Sequence, residues 1–207
     1  MPKKVKLVYF KIFFALVGFS AIVTEIATIA ERGRFVPINF FSFFTIESNI
    51  FAVIMLIVSA FAVAQQKQSM KLALFRGAAM LYMLITGIVF ALLLSGLDNA
   101  ALTAVPWDNI VLHYIMPVVM LVDWLINKPK YTIRFKQALI WLVYPIVYVA
   151  YSLVRGSLVG WYPYPFLNPA TKGYTGILLT SFGILGLTLA LVWVITRFSS
   201  QGKPVTN

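Results

Sequence analysis

Residues 40–63 read Phe40-Phe41-Ser42-Phe43-Phe44-Thr45-Ile46-Glu47-Ser48-Asn49-Ile50-Phe51-Ala52-Val53-Ile54-Met55-Leu56-Ile57-Val58-Ser59-Ala60-Phe61-Ala62-Val63. The stretch holds one charged residue, Glu47, and neither Gly nor Pro. About 20 apolar residues at 1.5 Å rise each cross a hydrocarbon core, so this segment is long enough to span a membrane as a helix. Working outward, further stretches meet the same criterion at roughly 7–30, 74–95, 107–126, 137–155 and 174–198. Breakers fill the gaps: Gly33 and Pro37, Gln65 to Ser69, Gly96 to Pro106, Lys128 to Lys130, and Gly156 to Gly173. No internal repeat or low-complexity tract interrupts them. The expected fold is all-α, an integral membrane bundle of six transmembrane helices forming one domain over residues 1–207.

Composition supports this reading. The chain is 61% hydrophobic and 11% charged, where soluble domains are nearer half apolar and about a quarter charged. A net charge of +11 raises nucleic-acid binding for a soluble protein, but here the basic residues lie between apolar runs and report topology. Lys3, Lys4, Lys6, Lys67, Lys71, Arg76, Lys128, Lys130, Arg134, Lys136, Arg197 and Lys203 fall on one side; Arg32, Arg34, Arg155 and Lys172 fall on the other. The richer side, with both termini, is expected in the cytoplasm, as in a bacterial cell membrane. Trp107, Trp161, Tyr162 and Tyr164 then sit at the outer interface, where amphipathic aromatics concentrate. The Lys-rich N-terminus has a signal peptide's charged start, but the apolar run is too long and lacks a small-residue cleavage site, so it reads as a retained first helix.

The chain has no cysteine and one histidine, His113. Disulfides, thiolate zinc sites, iron–sulfur clusters and a cysteine nucleophile are excluded, as are bis-histidine haem and multi-histidine metal sites within one chain. No metal and no cofactor is expected. A retinal protein needs a buried Schiff-base lysine, and only Lys11 lies within a span, close to its Lys-rich end.

Ionisable groups inside spans are costly and therefore functional candidates. They are Glu25, Glu47, His113 and Asp123, with Asp108 and Arg155 near span ends. Counting from the predicted span ends, Thr45 and His113 both lie about 8–9 Å below the outer end, and Glu25 lies at a similar level. Ser42, Thr45, Ser48 and Asn49 share a helical face, while Glu47 points elsewhere; such a face is also ordinary helix–helix glue. Asn109 is one turn before His113 and is placed to orient its ring. Pro117 lacks the N–H that would bond the His113 carbonyl, so a local distortion is expected there. Asp123 is expected to pair with Lys128 or Arg134, or to cap a neighbouring helix. Tyr144, Tyr148, Tyr151 and Arg155 form one face of the fifth span, read either as a cavity wall leading to a cation for a carboxylate or phosphate or as aromatic packing with a snorkelling arginine.

Three segments occur together: Phe44-Thr45-Ile46-Glu47-Ser48-Asn49; His113-Tyr114-Ile115-Met116-Pro117 running on to Asp123-Trp124-Leu125; and Trp161-Tyr162-Pro163-Tyr164-Pro165-Phe166-Leu167-Asn168-Pro169. In these the chain resembles a bacterial family of six-helix membrane proteins. That family in turn resembles the eukaryotic androgen-induced and androgen-dependent integral membrane proteins, hydrolases of fatty acid esters of hydroxy fatty acids that use a membrane-embedded Thr and His. The resemblance implies a threonine hydrolase of lipid esters with Thr45 as nucleophile and His113 as general base. Asn49 or Asn109 would donate to the oxyanion, and Glu25 or Asp108 would orient the imidazole. Tyr148 and Arg155 are supporting or substrate-binding candidates. The expected partners are membrane lipid and a lipid ester or fatty acid in an apolar cavity, with no nucleic acid. The alternative is a binding or transport module. Small basic six-helix proteins resemble the vitamin-capturing subunits of energy-coupling-factor transporters, in which Arg155, Glu25, Asn49 and the tyrosines would hold a soluble ligand.

Overall fold

The computed structural model describes residues 2–96 and 103–199. It is a bundle of six helices, each long and apolar enough to cross a membrane: α1 (Lys3–Glu31), α2 (Phe44–Ala64), α3 (Met70–Leu94), α4 (Pro106–Ile126), α5 (Phe135–Val159) and α6 (Pro169–Arg197). No strand is present among the described residues. The chain is a multi-pass membrane protein. Six crossings bring both ends of the described chain to one face. Lys203 and part of the loop between Gly96 and Pro106 lie outside the described residues.

Local chemistry explains the helix ends. The Ser69 side chain accepts from the Leu72 N–H at 3.1 Å and caps α3, a role suited to serine. Asn168 does the same for α6, accepting from Ala170 N at 2.9 Å, with Pro169 at the first helical position, where its missing N–H costs nothing. Gly160 closes α5 at φ 69°, a left-handed backbone that side chains resist.

The central element is α3. Of its most apolar window 67% is buried, against 22% in α5 and 17% in α6. The peripheral helices turn Val147, Val154, Leu158, Leu178 and Phe182 outward, as lipid-facing surfaces require. Helix α1 packs on α2, α2 on α3, and α3 on α4 and α6.

Two expectations need correction. The second span does not run unbroken from residue 40: a one-turn helix Pro37–Phe40 precedes a turn, and α2 starts at Phe44. Ser42 therefore lies outside the helix, on the turn that folds across its end. Asp123 pairs with neither Lys128 nor Arg134. It receives Lys11 Nζ of α1 on Oδ1 and Arg76 Nη2 of α3 on Oδ2, the latter at 2.9 Å. Lys11 is fully buried and Arg76 is 5% exposed, so the cluster ties α1, α3 and α4 together in the interior. Partners across a bundle are invisible to sequence spacing, which favoured the nearer cations.

Candidate active site

Thr45 is the second residue of α2. The first N–H groups of any helix lack intrahelical partners, and the residue before this helix, Phe43, has no capping side chain. Two tyrosine hydroxyls from elsewhere fill the role. Tyr148 of α5 accepts from Phe44 N at 3.2 Å, and Tyr164, in the segment joining α5 to α6, accepts from Thr45 N at 3.2 Å. The Tyr148 proton is itself committed to the Ser42 carbonyl at 2.9 Å.

His113 lies in a π turn, Val111–Ile115, inside α4. A prolyl nitrogen cannot donate, so Pro117 deprives the turn of one backbone bond. Asn49 of α2 supplies a substitute: its Nδ2 donates to the Leu112 carbonyl at 3.1 Å and to the Thr45 carbonyl at 2.8 Å. That amide thus fastens the Thr45 turn directly to the His113 turn. Gly87 of α3 lets the bulge seat closely. A Cβ built there would meet Pro117 Cβ at 3.0 Å and the His113 carbonyl at 3.3 Å.

These supports bring Thr45 Oγ1 to 3.2 Å from His113 Nε2. The other ring nitrogen, Nδ1, is 3.1 Å from the Asn109 carbonyl. A carbonyl only accepts, so Nδ1 carries the proton and Nε2 presents its lone pair to the Thr45 hydroxyl, the tautomer a general base needs. Phe90 stacks on the imidazole with centroids 4.0 Å apart. Tyr164 Oη is 3.3 Å from Thr45 Oγ1. Thr45, His113 and Tyr164 are 8%, 4% and 7% exposed, so the cluster is nearly dry, and burial pushes the Tyr164 phenol up and keeps it protonated. The Tyr164 ring is itself fixed, stacked on Phe166 at 5.1 Å and 4° and met edgewise by Phe43.

Two cavities meet at this cluster. A vestibule of about 420 Å³ is lined by His113, Glu25, Arg32, Arg34 and Trp161 among others. A narrow apolar cleft of about 70 Å³ runs between α3, α5 and α6, past Val89, Val149, Phe166 and Ile184. Thr45 and Tyr164 border both. The Thr45 hydroxyl therefore stands in the wall between a chamber that holds charged side chains and a mainly apolar cleft.

The remaining sequence candidates take other places. Asn109 serves the imidazole through its backbone carbonyl, while its side-chain oxygen is buried without a partner. Asn49 is a clamp with both amide hydrogens committed, so it does not donate to an oxyanion. Glu25 accepts from Ala104 N at 2.8 and 3.0 Å and faces the Asp108 carboxyl; neither bonds the imidazole. Tyr148 borders the apolar cleft. Arg155 donates to Asn39 Oδ1 at 2.6 Å and lies over the Trp161 ring, closing the vestibule rim instead of continuing a tyrosine-lined cavity. Tyr144 turns away to donate to Glu47. Sequence reading passed over Tyr164 as one interfacial aromatic among several. Its signal is the flanking pair Pro163 and Pro165, which stiffens a loop that would otherwise be free to move. Among the described residues no cluster of three or more His, Cys, Asp or Glu offers a metal site.

No family model, curated protein or solved structure matches the chain.

Proposed function

We propose that this protein is an intramembrane hydrolase of lipid esters, with Thr45 as nucleophile and His113 as general base. The observation that carries the reading is the Thr45 Oγ1 to His113 Nε2 approach of 3.2 Å, with Nδ1 held on a backbone carbonyl. A threonine hydroxyl is a weak nucleophile until a base takes its proton within hydrogen-bond reach, and a base in the wrong tautomer is no base.

The chemistry follows. Oγ1 attacks the ester carbonyl carbon as its proton passes to Nε2. The tetrahedral species collapses, the carbon–alkoxy bond breaks, and the alcohol leaves with the proton from Nε2. Water then attacks the acyl-Thr45 ester, giving its proton to Nε2. Breaking the bond to Oγ1 releases the acid and returns the proton to Thr45. No redox partner or cofactor enters the balance. The cavities support an amphiphilic substrate held mainly in the vestibule, whose lining sets Arg32, Arg34 and Glu25 among Ile29, Phe35 and Phe40, with only a short apolar end entering the cleft. The carbonyl then crosses the wall where Thr45 stands. The Lys/Arg excess at the opposite end supports cytoplasmic termini and a site toward the outer leaflet of a bacterial cytoplasmic membrane.

The test is labelling of purified protein in detergent with a long-chain fluorophosphonate, with the adduct mapped by mass spectrometry. An adduct on Thr45 that is lost in His113→Ala is the expected result. Absence of labelling in folded protein overturns the hydrolase reading in favour of a ligand-binding module.

A further inference from the structure

Of the hydroxyls around Thr45, one has a proton with no other destination among the described residues. Tyr148 and Tyr164 do the same first job, each accepting an N–H at the start of α2. They differ in the second. The Tyr148 proton is held by the Ser42 carbonyl. The acceptor within reach of the Tyr164 proton is Thr45 Oγ1, at 3.3 Å, and the proton of that oxygen is aimed at His113. Tyr164 also borders both cavities at the point where a substrate would cross.

Resting on the hydrolase reading, we propose that Tyr164 is the oxyanion donor of this site. When Oγ1 bonds to the carbonyl carbon it ceases to be a free acceptor, and negative charge appears on the former carbonyl oxygen, one bond from that carbon. The Tyr164 hydroxyl needs only a small rotation to follow the charge. Its oxygen stays anchored by Thr45 N–H and its ring by Phe166 and Phe43, so the donor is preorganised, as transition-state stabilisation in a dry site requires. The step moves no proton from tyrosine: the phenol donates a hydrogen bond throughout, and burial keeps it neutral. This fills the vacancy left by Asn49, whose amide hydrogens are both engaged.

The experiment measures hydrolysis of an acyl p-nitrophenyl ester by the full chain in detergent, together with inhibition by a trifluoromethyl ketone bearing the same acyl chain, which mimics the tetrahedral species. For Tyr164→Phe the expected kcat falls about 100-fold, KM stays within about two-fold, and ketone affinity falls in parallel with kcat. Because Tyr164→Phe also removes a helix cap, a second variant carries 3-fluorotyrosine at position 164. Fluorination makes the hydroxyl a better donor and a poorer acceptor. A donor role therefore raises kcat or ketone affinity, and a pure capping role lowers both. Turnover lost in Thr45→Ala but kept within about three-fold in Tyr164→Phe, or a decrease with fluorotyrosine, overturns the Tyr164 assignment and leaves the Thr45–His113 reading standing. Wild-type protein that hydrolyses no faster than Thr45→Ala overturns both.

Discussion

Helix α4 carries a buried polar cluster at each end, and the two are built on opposite plans. At the Lys-rich end Asp123 meets one cation on each carboxylate oxygen, and Arg76 Nη2 also donates to the Asn127 carbonyl at 2.8 Å. Full charges meet there, two cations on one carboxylate. At the other end Thr45, His113 and Tyr164 form no ion pair with one another. A proton faces a lone pair, and two cavities open beside them. Burying charge demands pairing; chemistry demands groups held in place but not used up. On the proposed reading the contrast separates a fastening from a reaction centre within one helix, although both would be flagged alike as intramembrane polar residues.

The largest expected effect sharpens the reactive side of this comparison. His113→Ala removes the base and should lower ester turnover about 1000-fold or more per folded molecule, with the helical fold retained by circular dichroism; a variant that keeps turnover would dissolve the distinction. The fastening side is broken by Asp123→Ala, which leaves Lys11 and Arg76 as uncompensated buried cations. Loss of a buried partner costs about 3–5 kcal/mol. We expect a large fall in unfolding midpoint, while the fraction that remains folded turns over ester at the wild-type rate. Reduced turnover per folded molecule would mean that the two ends are coupled.

Gly87→Ala tests the support between them. The new methyl meets Pro117 and the His113 carbonyl at 3.0–3.3 Å, and the proline ring has little freedom to yield. A shift of a few tenths of an ångström in the imidazole should lower kcat about ten-fold with KM nearly constant, since misplacement by about 1 Å costs about 100-fold. The smallest effect is expected for Tyr148→Phe. It removes the acceptor of Phe44 N and the donor to Ser42, worth about 1 kcal/mol of stability, and slows turnover a few-fold through loosening of the turn that carries Thr45. If Tyr148→Phe matched Tyr164→Phe in kcat, the two caps would be equivalent and the asymmetry of their protons without consequence.

Much of this architecture was legible beforehand, and for physical reasons. Span length and apolarity follow from bilayer thickness, so the six helices lie close to the predicted segments. The common depth of Thr45 and His113 followed from counting residues down two helices that both start at the outer end, and the structure brings the two side chains together. What could not be read was lateral. Depth does not say which helices adjoin, so Lys11 and Arg76 were not connected to Asp123. Nor did it show that Glu25 and Asp108 face one another and not the imidazole. The start of α2 was misread because Phe40–Phe43 is as apolar as a helix interior, and hydropathy does not record the turn that sets Thr45 at a helix terminus. Tyr164 was missed because a loop has no periodicity by which to aim a side chain.

The π turn at Val111–Ile115 has a consequence for how α4 is to be aligned and engineered. A residue of an α-helix occupies about 100° of arc, and a π turn accommodates one residue more than the α-helical winding would. The two halves of α4 are therefore out of phase, and no single helical wheel describes both. Excising one residue from 111–115 would restore regular winding and leave Asn109 and the residues before it in register with Asp123. The inward positions of both halves would keep their places, and what is lost is the wide turn that carries His113. A homologue in which this turn is absent should be compared in two separately phased blocks, one ending before the histidine and one beginning at Met116.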